Sequence, residues 1–147
     1  MIDKYFFTSS AIPQDQESPN EKSIEQLQLD TLNWDVYLQT CTDEIHFLEQ
    51  FLNADIFQFE IPELFEQLNR FSNELEDLKL EKIDVQTALR HHKNDLNGMR
   101  ECDDISCDIF YHSQHQNLLL NIQEYLSRFQ DLKLHIYKFS EHAILKN

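Results

Sequence analysis

The residues best suited to chemistry in this chain are histidines and cysteines. The stretch "CDIFYHSQH", residues 107–115, sets Cys107, His112 and His115 within about two helical turns, and His91 and His92 precede the nearest loop. On a helix, His112 and His115 are three apart and share one face, a spacing that binds a metal ion. If the chain doubles back near residue 101, His92 stands level with residue 110, close to His112, with His115 one turn further along. A returning first helix brings residues 21–25 to that level and offers Glu21 or Glu25 as a fourth ligand. Asp95, three residues from His92, could orient that imidazole from behind. A transition-metal centre on His92, His112 and His115 is therefore constructible.

The familiar metal patterns are nevertheless missing. Di-iron bundles use two Glu-x-x-His pairs and two further glutamates, and neither pair occurs; "DEIH" sets Asp43 before His46 at the opposite end of the predicted bundle. "HSQH" is not the His-Glu-x-x-His of metalloproteases. Cys102 and Cys107 are five apart rather than in a zinc-type pair. The expected role of His92, His112 and His115 is thus structural: polar seam residues that hydrogen-bond across helices or titrate near neutral pH. Nucleophilic chemistry has no better footing. Cys41 reads as a small buried hydrophobe, and the helix dipole that would activate Cys107 is opposed by Asp103, Asp104 and Asp108. With one glycine, Gly98, no loop can cradle phosphate. The expectation is a protein that is not an enzyme and carries no cofactor.

The elements that must position these residues are helices. One glycine and three prolines among 147 residues leave almost nothing to build the tight turns of a sheet. From Ile24 the apolar positions run Leu27, Thr31, Trp34, Leu38, Cys41, Ile45, Leu48, Leu52, alternating steps of three and four. Such a sustained heptad is a coiled-coil seam, and Phe47 and Phe51 widen it. Ser18, Pro19 and Glu21 form a capping signal for its start. Pro62 is placed to open a second helix, whose seam reads Ile61, Leu64, Leu68, Phe71, Leu75, Leu78, Lys82, Val85, Leu89, His92, Leu96, Met99, with "NG" at 97–98 as its stop. Asp103, Asp104 or Ser106 caps a third, with Ile105, Ile109, His112, His115, Leu119, Ile122, Leu126, Phe129, Leu132, Ile136, Phe139 and Ala143 facing inward. Two double steps of three, at His112 and Phe129, leave that register irregular.

The fold class expected is all-α: an antiparallel three-helix coiled-coil bundle over 18–147, with helices near 19–53, 62–97 and 104–146 and a loosely ordered arm at 1–17. It would be a rod about 50–60 Å long at ~1.5 Å per residue. With a tryptophan on the first seam, the architecture resembles the spectrin-like class of three-helix coiled coils.

Charge and apolar patterning narrow the partners. A net charge of −15, from 12 basic and 27 acidic residues, speaks against nucleic acid. No run approaches the ~20 apolar residues of a membrane span, and the first residues lack the apolar core of a signal peptide. Three cysteines at no familiar disulfide spacing suit a reducing, cytoplasmic location. "FLNADIFQFEIPELF" gathers Phe51, Ile56, Phe57, Phe59 and Phe65 around one loop, where an antiparallel fold adds Ile136, Tyr137, Phe139, Ile144 and Leu145. That is more apolar surface than a narrow rod end readily buries, so these five residues are the candidate partner-binding surface. Residues 43–81 carry eleven acids against Arg70 and Lys79, whereas 128–146 are net basic. The function expected is protein–protein contact or self-association, as an adaptor, assembly component or subunit. Alternatives are a metal-binding bundle or an acidic inhibitor, antitoxin-like, that neutralises a basic partner.

Overall fold

The computed structural model describes residues 22–102 and 104–145. They form three helices, α1 (Ile24–Leu52), α2 (Leu64–Met99) and α3 (Ile105–Ala143), packed as an all-α bundle. Side-chain contacts set the register. Lys79 meets Glu49, Lys93 meets Asp35 and Arg100 meets Gln28, so α1 and α2 run antiparallel. His92 meets His115 and Tyr125 meets the Leu78 carbonyl, so α3 turns back along α2 and lies parallel to α1.

Each helix end differs somewhat from its sequence signal. The signal at Ser18–Glu21 lies outside the described residues, as does the proposed arm at 1–17; α1 begins at Ile24, with Ser23 and Gln26 closing a reciprocal capping box. Pro62 sits in a turn ahead of α2 rather than at its first position. Glu63, with φ of 59°, takes the left-handed conformation between them, and Leu64 N–H donates to the Ile61 carbonyl at 3.2 Å. Gly98 does not stop α2. It lies within the helix, where an added Cβ would come 3.3 Å from the Tyr111 hydroxyl, so the glycine serves close approach of α3. Asp104 caps α3, accepting from Cys107 N–H at 2.7 Å. Cys102 and Cys107 are joined as a disulfide across this turn, which overturns the expectation that no cysteines would pair.

The core follows the seams. On α1 every predicted position from Leu27 to Leu52 is buried. On α2 the two polar seam residues, Lys82 and His92, are buried as the spacing required. On α3, Ile105 and Ile109 are exposed rather than inward, and Leu118, Tyr125, Lys133 and Ser140 are buried as well. From His112 the buried positions 112, 115, 119, 122, 126, 129, 133, 136, 140 and 143 step regularly by three and four. The irregularity expected near Phe129 disappears once a lysine is admitted to the core. Lys133 is admitted because its ammonium meets Glu44 at 2.7 Å, and both are almost wholly buried.

Candidate functional site

Two regions gather the residues singled out by type and spacing, one at each end of the bundle. At the end built from the start of α1 and the α2–α3 turn, a polar layer crosses the core. Lys22 Nζ donates to Asp30 Oδ2 at 2.9 Å, the same oxygen lies 2.9 Å from His115 Nε2, and His115 Nδ1 lies 2.7 Å from His92 Nε2. Trp34 stacks on the His115 ring with centroids 4.5 Å apart. Burial pushes the Asp30 carboxyl up, but hydrogen bonds from His115 and Lys22 overcome it and hold the carboxyl below its ordinary value. Burial, reinforced by the neighbouring His115 and opposed by Asp95, lowers His92 to about 4.

These contacts bear on the constructible metal centre. His92 and His115 do come together, but they spend nitrogens on each other and on Asp30. His112 is turned aside: Nδ1 faces the Asp108 carbonyl at 2.8 Å and Nε2 the Lys22 carbonyl at 2.9 Å. Glu21 lies outside the described residues, and Glu25 lies 3.5 Å from Arg100. Among the described residues no group of three His, Cys, Asp or Glu side chains is disposed to hold a metal ion. The orienting acid is Asp30 on α1, not Asp95. Sequence reasoning passed over Asp30 because it flanks the seam; a search for acids one position off the seam at the histidine level would have found it. His92 contacts His115, rather than residue 110, because α2 continues through Gly98 and shifts the reversal towards α3.

No nucleophile emerges along the core. Burial, reinforced by Glu44, pushes the Cys41 thiol far up, and Cys107 is in the disulfide. Burial likewise lowers the Lys82 ammonium, which donates to Thr42 Oγ1. Lys133 balances Glu44, whose carboxyl burial nevertheless raises. These are core residues with satisfied or matched charges, and Arg128 pairs Glu81 on the surface.

At the opposite end the aromatic residues divide into two groups. Phe57, one of the five candidates, is 4% exposed and closes the core with Leu64 and Ala143, so its ring lies inside rather than on the surface. Its burial follows from backbone bonds that tie the loop to the end of α3: Gln58 N–H to the Ala143 carbonyl at 2.8 Å and Leu145 N–H to the Ile56 carbonyl at 2.7 Å. Phe51 and Ile56 are half-buried against the same cluster. Phe59 and Phe65 are 67% and 64% exposed, with their rings 6.0 Å apart. Phe47, assigned at first only to widening the α1 seam, is 54% exposed and joins Phe51, Tyr137, Ser140 and Ile144 around an apolar groove of about 450 Å³. A second cavity of about 380 Å³ lies beside Phe57, Phe59 and Phe65. Asp55, Glu60, Glu63 and Glu66, all exposed, surround this end.

No described helix is long and apolar enough to cross a membrane. No protein-family model, curated protein or solved structure matches the chain.

Proposed function

We propose that this protein is a non-enzymatic helical bundle that works through protein–protein contacts as an adaptor, assembly component or subunit, and that the aromatic end meets the partner. One observation carries this reading. Phe57 already closes the end, yet Phe47, Phe59 and Phe65 remain more than half exposed around two cavities. Exposed aromatic rings beside an apolar groove at Phe47, and beside a cavity at Phe59 and Phe65 that Asn53, Asp55, Asn69 and Ser72 also line, have the aromatic enrichment and mixed polarity of interfaces. The acidic ring of Asp55, Glu60, Glu63 and Glu66 specifies the complement: apolar side chains flanked by Lys or Arg. This is how a basic partner enters the reading, without a separate inhibitor role.

The test uses Phe59→Ser with Phe65→Ser, and Phe47→Ser separately. All three positions are surface residues, so melting should move little. Affinity purification from the native host with mass spectrometry, together with solution mass, should show a partner or second copy retained by the wild type. The variants should lose it by about tenfold or more, and raised salt should weaken what remains. Unchanged solution mass and an unchanged set of retained proteins in both variants would remove the aromatic end as the interaction surface.

A further inference from the structure

The α2–α3 turn carries a covalent bond that neither the core nor the aromatic end explains. Cys102 belongs with the end of α2: its N–H donates to the Met99 carbonyl at 3.0 Å, as Glu101 N–H does to the Gly98 carbonyl at 3.1 Å. Cys107 lies in the first turn of α3, where its N–H donates to Asp104 Oδ1. Their disulfide, with Cα atoms 6.0 Å apart, ties one helix directly to the next.

The segment it ties has little else to hold it. From Ile105 to Tyr111, nearly two turns, no α3 residue is buried. Ile105 and Ile109 are 77% and 51% exposed, and the first buried side chain is His112. Tyr111, half-buried, packs only against the small cluster of Leu27, Leu96 and Met99. A helical stretch without a buried apolar face is marginal on its own. Yet His112 depends on this stretch. Its Nδ1 faces the Asp108 carbonyl one turn back, and its Nε2 faces the Lys22 carbonyl at the start of α1. Local opening at this end therefore begins in the first turns of α3, and it loosens α1 as well.

Cys102 and Cys107 are both half-exposed and within reach of a dissolved reagent. Cys41, the third cysteine, is buried. An exchange begun at either of the first two is resolved by the other, five residues away.

We infer that Cys102 and Cys107 are a redox-modification site, a disulfide exchanged reversibly with low-molecular-weight thiols, whose oxidation state sets how readily the first two turns of α3 and the start of α1 open. Closing the clip consumes one small disulfide, RSSR. One cysteine thiolate attacks it, forming a mixed disulfide and releasing a first thiolate. The other cysteine, also as thiolate, attacks the protein sulfur of that mixed disulfide and releases the second. The two released thiolates take up the two protons the cysteines lost. Two electrons have passed from the protein dithiol to RSSR, and two RSH leave. Opening is the reverse, with two RSH consumed. The site lies at the end opposite the aromatic surface, and neither assignment rests on the other.

The test holds the full chain in glutathione buffers of graded reduced-to-oxidised ratio, then quenches with acid and alkylates in denaturant. Of the three cysteines, the oxidised form should alkylate only Cys41 and the reduced form all of them, with the same ratio reached from either direction. Amide exchange is then compared between the two forms. In the reduced form the amides of Asp108 to His112 and of Leu27 to Thr31 should exchange faster by about tenfold or more. Those of Tyr125 to Ile136 and around Phe57 should stay level. Cys102→Ser leaves α3 unaltered and should show the fast pattern in both buffers, as should Cys107→Ser. Equal exchange at Asp108 to His112 in the oxidised and reduced forms overturns the clip. So does a pair that stays oxidised, or stays reduced, across the whole range of buffers. So does a chain that collects glutathione mixed disulfides or disulfide-linked dimers in place of the internal bond.

Discussion

At the end built by residues 53–63, the cluster of Phe57, Leu64 and Ala143 runs without a break into the main core, because Phe51, Leu68 and Phe139 pack against both. At the other end Leu27, Leu96 and Met99 form a cluster that shares no packed neighbour with the main core. Asp30, His92 and His115 lie between, a polar layer one turn thick. Apolar contact is additive along a continuous core, so the aromatic end is locked to the rest of the bundle. A hydrogen-bonded layer transmits less, since each of its bonds replaces one to water and nets only ~1 kcal/mol. The two ends should therefore differ in cooperativity before they differ in function.

The largest effect that tests this contrast comes from matched truncations. Phe57→Ala removes a buried ring from the continuous cluster and should cost about 3–5 kcal/mol in urea unfolding, within a single transition. Leu96→Ala removes a side chain that is just as buried, but from the cut-off cluster. Its cost should fall mainly on local opening, seen as faster amide exchange at the start of α1 and the end of α2, and the global transition should shift by less than half as much as for Phe57→Ala. Equal shifts in the global transition would mean that the polar layer does not divide the core.

The next effect is set by pH. The unfolded chain takes up a proton on His92 near its ordinary value of 6.5, whereas the folded chain refuses it until about 4. A lowered pKa in the folded state means that stability is complete above 6.5 and is lost as pH falls from 6.5 towards 4. The groups facing the ring are His115 from α3, Asp30 and Lys22 from the α1 side, and Asp95 on α2 itself. Because these titrate or carry charge too, the informative quantity is the difference between wild type and His92→Leu. Wild type should lose on the order of 2 kcal/mol more than the variant between pH 7 and 4. Amide exchange should quicken at the histidine end and stay level around Phe57. If His92→Leu follows the wild type across the whole range, burial of that imidazole does not govern the end.

How far these features were legible from the sequence depends on what each residue type does when buried. On α1 the heptad located every buried position except Glu44, which lies inward only because Lys133 meets it. On α2 the spacing carried Lys82 and His92 inward despite their polarity, because the apolar positions on both sides left no other register. On α3 an apolar preference led away from Lys133 and Ser140, and an irregular register was inferred where none exists. Lys133 is tolerated in the core only because Glu44, 89 residues away, is buried with it. A pairing of that kind is invisible to periodicity. The acid partner of the histidines was missed for a related reason: Asp30, which meets His115, belongs to another helix, and reading along α2 supplied Asp95 instead. At the aromatic end the loop composition correctly gathered the residues. It could not separate Phe57 from Phe59, because that choice is made by backbone bonds to Ala143 and Leu145.

The smallest effect concerns how the aromatic end is closed. Glu63 is the only described non-glycine residue with positive φ, and it makes no side-chain cap. It turns the chain from Pro62 into α2, the bend across which Phe59 and Phe65 meet with their rings 6.0 Å apart. An L-residue in this conformation costs about 1–2 kcal/mol, and glycine avoids that cost while losing more chain entropy on folding, about 0.5–1 kcal/mol. Glu63→Gly should therefore stabilise the protein by about 0.5 kcal/mol, measured by urea unfolding at pH 7. It also removes one acid from the ring around the partner surface. A slight gain in stability combined with weaker, less salt-sensitive partner binding would separate the two roles, with conformation acting on the fold and charge on recognition. A loss of stability instead would show that the Glu63 side chain, not only its backbone, holds this end closed.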